Sequence, residues 1–235
     1  MSRPRALVLQ APGTNRDHDA VFALELAGAD AHIASLLDLT EDASPLDTAQ
    51  LLVVAGGFSH ADALGAGRMF AVSLEHVVGE RVRDFVAAGR PVIGICNGFQ
   101  TLVRAGLLPG ALGHNASGDF QCEWVTLEPQ ASVCVWTLDI EPIDCPIAHG
   151  EGRYVHPDIT SLEAAGQVAL RYRDNPNGST GDIAGVCDPT GVVLGLMPHP
   201  ENHVIARQYP LHTRGQQGGL GLQLFRRGVD HARAV

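Results

Sequence analysis

Short apolar runs alternate with amphipathic stretches through the N-terminal half of the chain, and this alternation restricts the fold more than any other feature. The apolar runs cover residues 5–10, 30–35, 51–55 and 91–96. Helical patterns lie between them at residues 17–27 and 71–88, the second with a break expected near Gly79. Because strands that alternate with helices form βαβ units, the sequence predicts a parallel sheet with helices on both faces.

The second half of the chain has a different pattern, in which predicted strands follow one another with turn signals between them. These strands cover residues 120–127, 133–138, 168–172, 183–188 and 192–197, with a hairpin turn at residues 188–191. They predict antiparallel additions to the sheet, followed by a helix over residues 220–232. The acidic residues 40–49 predict a surface connection. Because no repeat or linker interrupts the chain, residues 1–235 are expected to form one α/β domain.

Charge and composition exclude several classes of function. The formal net charge of −10 argues against nucleic acid as a partner, because phosphate binding needs a basic face. The sequence has no run of about twenty apolar residues and no signal peptide at residues 1–5, so we expect a cytoplasmic protein without a membrane span. Every basic side chain is arginine, and without lysine no Walker A loop exists. If the reaction needs ATP, another chain is expected to bind it.

A tight turn follows the fourth apolar run, where Gly94, Cys96 and Gly98 form the glycine–nucleophile–glycine spacing of a nucleophile elbow. The glycines leave room for the turn, and the start of the following helix favours the thiolate form of a cysteine. The spacing predicts a reactive Cys96 at the carboxyl edge of the sheet, where open α/β folds bind ligands. The alternative is a buried structural cysteine, which is the role expected of Cys122, Cys134, Cys145 and Cys187.

A thiol nucleophile needs a base, and the base needs a group that orients it. His199 follows the last apolar run and lies between Pro198 and Pro200, which favour extended backbone. Alternate residues of an extended segment share a face, so Glu201 is expected to accept the second ring N–H of His199. We predict a triad of Cys96, His199 and Glu201; the alternative is a strand end that carries two polar residues.

The double glycine at residues 56–57 ends the strand that is expected to lie beside the elbow strand. Backbone N–H groups in such a turn are free to point at a reacting carbonyl. One donor of an oxyanion hole comes from the residue after the nucleophile. We therefore predict that Gly57 N–H and Asn97 N–H form the oxyanion hole, a role that is compatible with a simple tight turn.

With these residues in view, the sequence resembles the class I, or triad, glutamine amidotransferases. More narrowly, it resembles the glutaminase subunits (subunit I) of phosphoribosylformylglycinamidine synthase. Residues 94–100 (GICNGFQ) and 198–201 (PHPE) carry the broader likeness. The narrower one is carried by residues 12–15, 56–59, 122–125, 146–154 and 175–179. The likeness covers nearly the whole chain and implies a flavodoxin-like fold with one glutamine amidotransferase type 1 domain.

The resemblance implies that Cys96 releases ammonia from glutamine and that Gln100 binds this substrate. His149 and Glu151 are candidates for contacts with substrate or partner, and a satisfied polar network is the alternative for both. The expected partners are a large synthetase subunit and a small accessory subunit. The synthetase is expected to hold ATP and Mg²⁺ and to convert formylglycinamide ribonucleotide to formylglycinamidine ribonucleotide in purine biosynthesis. No cofactor and no metal is expected on this chain.

The sequence departs from the family pattern at three places. Ala55 replaces a usual proline, His60 and Ala61 precede Asp62 where Tyr-Gly is usual, and Asn202 replaces a frequent arginine. These positions bear on substrate positioning and docking.

Three alternatives remain open at this point. They are a DJ-1-like redox or quality-control protein, a glutaminase for another acceptor such as imidazole glycerol phosphate synthesis, and a metal site at His199 and His203. Pro200 disfavours the regular helix that such a metal site needs.

Overall fold

The computed structural model describes residues 3–235, so Met1 and Ser2 lie outside the described residues. Its strands are β1 (Arg5–Gln10), β2 (Asp30–Ser35), β3 (Leu51–Val54), β4 (Val92–Ile95), β5 (Ala111–Gly113), β6 (Gln121–Pro129), β7 (Ile143–His149), β8 (Arg153–Val155), β9 (Val168–Tyr172), β10 (Ile183–Cys187) and β11 (Val193–Leu196). Its α-helices are α1 (Asp17–Ala27), α2 (Leu36–Glu41), α3 (Ser44–Thr48), α4 (Arg68–Ala87), α5 (Asn97–Arg104), α6 (Ile159–Ala164) and α7 (Leu222–Ala232).

Within residues 3–235, nine strands form one sheet in the order β2-β1-β3-β4-β11-β10-β9-β6-β7. Strands β2, β1, β3, β4 and β11 form a block in which all strands run parallel to one another. Strands β10, β9, β6 and β7 extend this block in antiparallel pairs, while β5 and β8 pair separately. The predicted parallel sheet with antiparallel additions is confirmed. The predicted hairpin turn is also confirmed, since Gly191 N–H donates to the Asp188 carbonyl over 3.0 Å.

The centre of the sheet explains the uninterrupted apolar runs of the sequence. Every residue of β3, β4 and β11 is buried, as expected for parallel strands that helices cover. Helices α1 and α7 pack together against β1 and β3, and α4 packs on α5, which lies against β4. The predicted C-terminal helix is confirmed, with Leu222, Phe225 and Val229 buried. Within residues 3–235, none of the helices is long and apolar enough to cross a membrane.

The prediction of a strand at residues 133–138 was wrong. This segment is an irregular loop that inserts a large side chain into the core. Trp136 is fully buried, its indole N–H donates to the Val192 carbonyl over 3.1 Å, and its ring packs on Gly228. Strand β6 pairs with β9 on one side and with β7 on the other, and the sequence analysis missed β7, which contains Pro146. Proline is tolerated there because β7 lies at the end of the sheet order.

Two helical predictions were also wrong in detail. Residues 40–49 are not only a surface connection, because they include the end of α2 and all of α3. Ser35 caps α2 by accepting a hydrogen bond from Asp38 N–H over 3.1 Å. Helix α4 runs through Gly79 without a break. A Cβ at this glycine would lie 3.0 Å from the Glu75 side chain, so the glycine leaves room for the ion pair between Glu75 and Arg83.

Candidate active site

The predicted elbow is present between β4 and α5. Cys96 has φ 51° and ψ −106°, a strained conformation for a residue with a side chain. Its N–H donates to the Leu196 carbonyl of β11 over 2.8 Å, which fixes the turn to the neighbouring strand. Backbone strain of this kind persists where the surrounding structure holds it, and functional sites are the common place for it. The sulfur therefore lies at the carboxyl edge of the parallel strands, as predicted.

The two glycines of the elbow are required by close packing. A Cβ at Gly98 would lie 1.9 Å from the Val54 carbonyl oxygen, and one at Gly94 would lie 2.7 Å from the Gly98 carbonyl oxygen. Both contacts are with backbone atoms, which cannot move aside as a flexible side chain does. Helix α5 consequently packs directly on β3 and β4, and this contact sets the position of Cys96.

Replacement of Gly98 by alanine is expected to destabilise the fold by about 3 kcal/mol or more, because the new methyl group overlaps the β3 backbone. Gly113→Ala is the matched control, since a Cβ at Gly113 meets no atom within 4 Å. Urea unfolding of both variants measures the difference in the free energy of unfolding. Equal stabilities would contradict the packing argument.

His199 and Glu201 form the hydrogen-bonded pair that the sequence predicted, although the backbone between them is not extended. The His199 Nδ1–H donates to Glu201 Oε1 over 2.6 Å, and both side chains are buried. The prediction of extended backbone was wrong, because residues 200–202 form a 3-10 turn in which Asn202 N–H donates to the His199 carbonyl. The turn folds the carboxylate back under the ring, which gives the same contact.

The imidazole of His199 lies beside Cys96. A Cβ at Gly56 would lie 2.9 Å from His199 Cε1 and 3.4 Å from Cys96 Cβ, so only a glycine fits between them. Burial lowers the pKa of His199, but the charges of the Glu201 carboxylate and the Cys96 sulfur, with their hydrogen bonds, raise it to about 10. The arrangement therefore favours an imidazolium at neutral pH.

The raised pKa of His199 predicts a pH-dependent stability. Below the unfolded value of 6.5 both states hold the proton, and the full stabilisation is present. As the pH rises toward 10, folding must take up a proton, so stability should fall by on the order of 2 kcal/mol. Glu201→Gln should flatten this decline, and urea unfolding at pH 6, 8 and 9.5 measures both slopes. Identical slopes in parent and variant would contradict the assignment.

A cavity of about 200 Å³ opens beside Cys96. Six predicted site residues line it, namely Gly57, Cys96, Asn97, Gln100, His149 and Glu151. The cavity wall also includes Phe58 and Phe120, whose rings stack with centroids 6.3 Å apart. His199 and Glu201 are not part of this wall. Both side chains are buried, so the predicted base is shielded from bulk water.

The two amides of the predicted oxyanion hole are available as donors. Asn97 is the first residue of α5, where backbone N–H groups have no partner within the helix. Gly57 has φ 131° and faces Thr14 in an isolated bridge. Among residues 3–235, neither amide donates to another group. Both residues line the cavity next to Cys96, so an oxyanion at this point has two donors within its surroundings.

A buried polar network holds the floor of the cavity. Asn97 Nδ2 donates to Asp62 Oδ1 over 3.0 Å and to Gln100 Oε1 over 3.2 Å, while Ser59 Oγ donates to Asn97 Oδ1. Gln100 Nε2 donates to the Glu151 carbonyl over 2.7 Å. Burial raises the pKa of Asp62, and the Glu151 charge raises it further against the hydrogen bond from Asn97. Gln100 is thus anchored by protein groups at both ends of its amide.

The sequence analysis gave no site role to Asp62 or Asn115. Asp62 follows His60 and Ala61 in a left-handed turn, with φ between 52° and 54° at all three residues. This turn brings the Asp62 carboxylate to Asn97, and no sequence signal predicts three consecutive non-glycine residues in that conformation. Asn115 lies 34 residues from its partner His149, so no spacing rule indicates the contact.

The other departures from the family pattern lie away from the reacting atoms. Asn202 Nδ2 donates to Asp19 Oδ2 of α1 over 2.9 Å, and Ala55 is buried at the end of β3. Neither residue lines the cavity.

The histidine pair considered as a metal site has other partners. His203 Nδ1 bonds to the Asp144 carbonyl over 2.5 Å, its ring stacks on Tyr209, and His199 bonds to Glu201. Within the described part of the chain, no group of three or more His, Cys, Asp or Glu side chains is arranged to hold a metal ion.

Comparison with known proteins agrees with this geometry. The family model for CobB/CobQ-like glutamine amidotransferase domains matches residues 3–232. The PurQ subunit of phosphoribosylformylglycinamidine synthase from Treponema denticola is 44% identical, over 97% of this chain and 99% of that protein. The corresponding subunit from Dehalococcoides mccartyi is 37% identical over the full length of both. The structure of PurLQS from Thermotoga maritima superposes with a TM-score of 0.80, at 37% identity and 97% coverage of both chains.

The fold, the elbow at Cys96 and the family match together show that the chain is a glutamine amidotransferase with the class I fold. Within that class, both sequence relatives described above are PurQ subunits. The chain belongs to the PurQ family of phosphoribosylformylglycinamidine synthase subunits, and the resemblance noted in the sequence is confirmed.

Proposed function

We propose that this chain is the glutaminase subunit of a phosphoribosylformylglycinamidine synthase, with Cys96, His199 and Glu201 as its catalytic triad. The observation that carries the proposal is the strained Cys96 elbow, which faces the cavity while the His199–Glu201 pair lies behind it. The family match supports the same activity. We assign all of residues 1–235 to one glutamine amidotransferase domain in the cytoplasm.

The first half of the proposed reaction forms a thioester. The Cys96 thiolate attacks the side-chain amide carbon of glutamine, and Gly57 N–H and Asn97 N–H hold the oxyanion. His199, as an imidazolium oriented by Glu201, gives its proton to the amide nitrogen. The C–N bond breaks and ammonia leaves, because a protonated nitrogen is a far better leaving group than an amide anion. A γ-glutamyl thioester remains on Cys96.

The second half of the reaction returns the enzyme to its starting state. A water molecule enters the place of the ammonia and gives a proton to His199, which is now neutral. The hydroxide adds to the thioester carbon, and the same two amides hold the second oxyanion. The C–S bond then breaks, which restores the thiolate and releases the γ-carboxylic acid, and this acid loses its proton to water to give glutamate. His199 carries one proton through the cycle and needs no further acid.

The ammonia is proposed to pass to a large synthetase subunit, with a small accessory subunit completing the complex. Ammonia released into water at neutral pH becomes ammonium and loses its nucleophilicity, so a protected path between subunits is needed. ATP and Mg²⁺ are assigned to the synthetase, which agrees with the absence of any lysine in this chain. The related structure from Thermotoga maritima is that of PurLQS, which supports an assembly of more than one kind of subunit.

Glutamate release, measured with and without the purified synthetase, tests the proposal. We expect the complex to release glutamate at least about tenfold faster than the isolated chain, because docking shifts the site toward its competent conformation. Glutamate and the amidine product should form in equal amounts. Equal rates with and without the synthetase would contradict partner control, and no glutamate from either sample would contradict the glutaminase assignment itself.

A further inference from the structure

We propose that Asn115 is a positioning residue that holds His149 as a hydrogen-bond acceptor for the carboxamide nitrogen of bound glutamine. The inference rests on the proposed function, because it concerns recognition of the substrate at the same site. It adds a residue outside the triad and outside the predicted binding set, and it gives a definite protonation state to His149.

The hydrogen bonds of Asn115 fix the direction of its amide. Its Nδ2 donates to the Asp119 carbonyl over 2.9 Å and to the His149 carbonyl over 2.8 Å. Its Oδ1 accepts the Gly152 N–H over 3.1 Å and lies 3.0 Å from His149 Nδ1. Since two carbonyl oxygens require the NH₂ group on one side, the oxygen must face His149. The His149 Nδ1 is therefore the donor, and its proton is held on that nitrogen.

The other ring nitrogen of His149 then carries a lone pair. His149 is buried and lines the cavity beside Cys96, yet its Nε2 has no hydrogen-bond partner within residues 3–235. A buried polar atom without a partner is costly, and a ligand that supplies the missing donor removes that cost. Turning the ring over would break the bond between Nδ1 and Asn115 Oδ1. Gly152 leaves room for the ring in this position, because a Cβ there would lie 2.2 Å from His149 Nδ1.

The position of His149 indicates that it contacts the side-chain carboxamide of glutamine and not the α-ammonium group. Its chain neighbour Ala148 has its carbonyl oxygen 3.9 Å from Cys96 Sγ, so β7 borders the reacting end of the cavity. The carboxylates of Asp62 and Glu151 line the same cavity and suit the α-ammonium group of an amino acid. A lone pair on a residue that lines the same cavity as Cys96 suits the N–H of a carboxamide. Glutamate offers no such donor, so this contact discriminates substrate from product.

The surroundings keep His149 neutral. Burial lowers its pKa to about 4, and the charge of His199 contributes to the lowering. The other titratable groups along the same cavity are Asp62, Cys96, His114 and Glu151. With Asn115 as a neutral partner for Nδ1, the ring is an acceptor throughout the neutral range.

Paired amide and ester substrates test the contact. In the reconstituted complex, His149→Ala should lower kcat/KM for glutamine by about 10- to 100-fold, the loss of one buried hydrogen bond. It should lower kcat/KM for the γ-methyl ester of glutamate by less than about threefold, because the ester has no N–H to donate. His149→Gln, which has an oxygen able to take the place of Nε2, should recover part of the loss for glutamine.

Asn115→Asp gives a second readout that a purely structural role would not move. A carboxylate facing Nδ1 stabilises the imidazolium, so Nε2 becomes a donor and the acceptor is lost. The pH below which kcat/KM for glutamine falls should therefore be closer to neutral than in the parent. For the ester, this pH should be unchanged. Asn175→Asp is the matched control, since Asn175 braces the 175–179 loop and lies outside the cavity.

The outcomes separate the two proposals. If the parent complex does not hydrolyse glutamine, the proposed function fails. If it does, but His149→Ala loses amide and ester activity equally, the contact with the carboxamide is refuted. If Asn115→Asp does not fold, the two His149 variants decide the question alone.

Discussion

Replacement of Cys96 by serine is expected to lower glutamine-dependent amidine formation by about 10³-fold or more, while synthesis from free ammonium salts is unchanged. Serine keeps the size of the side chain, so the strained elbow at φ 51° remains in place. It loses the thiolate, and a buried hydroxyl of ordinary acidity is a weak nucleophile toward an amide. Coupled assays of the complex with glutamine and with ammonium chloride measure the two activities.

Cys122→Ser is the matched control for this experiment, because Cys122 lies on β6 and is exposed, so the prediction that it is buried was wrong. It should leave both activities at the parental level. If Cys96→Ser also abolished synthesis from ammonium, the proposed division of labour between this chain and the synthetase would be wrong. If it left the glutamine-dependent rate intact, Cys96 would not be the nucleophile.

The elbow was predictable because local chemistry dictates it. Gly94 and Gly98 are required by contacts within the strand-turn-helix unit and with the adjacent β3, and such a unit leaves a spacing in the sequence. The partnership of His199 and Glu201 was also predictable from their proximity along the chain. Its geometry was not, because Pro200 starts a 3-10 turn where flanking prolines had indicated extended backbone. Short spacing constrains which side chains meet more strongly than it constrains the path between them.

The rest of the site depends on long-range packing that leaves no local signal. Strand β7 brings His149 to the cavity, but the sequence did not predict this strand because proline, here Pro146, is uncommon within strands. Asn115 contacts His149 only because the chain between β5 and β6 folds against the end of β7. The left-handed turn that carries Asp62 contradicts the conformational preference of its residues, so only the surrounding fold can impose it.

The residues of the proposed triad differ in their exposure to the cavity. Glu201 and His199 form a buried pair, whereas Cys96 and the two residues proposed for the oxyanion hole line the cavity. A carboxylate in such surroundings is stabilised by its imidazolium partner, and the pair keeps its orientation before substrate arrives. The variant that removes the ring from this pair should therefore damage catalysis without altering the cavity wall.

His199→Gln is expected to lower kcat for glutamine hydrolysis by about 10³-fold, with a much smaller change in KM. Glutamine is smaller than histidine and keeps a polar group next to Glu201, but it cannot give a proton to the departing nitrogen. Without that proton the tetrahedral intermediate returns to substrate, because the thiolate is the better leaving group. Steady-state glutamate release by the complex gives kcat and KM separately.

His212→Gln is the control for this substitution, since His212 is exposed on a 3-10 turn and does not line the cavity. It should retain the parental kcat. The decisive comparison uses a γ-glutamyl ester, whose alkoxide leaves more readily than an amide anion. His199→Gln should lose far less activity on the ester than on glutamine, because protonation of the leaving group matters less there. Equal losses on both substrates would mean that His199 acts on the nucleophile alone, and the proposed proton transfer to ammonia would be wrong.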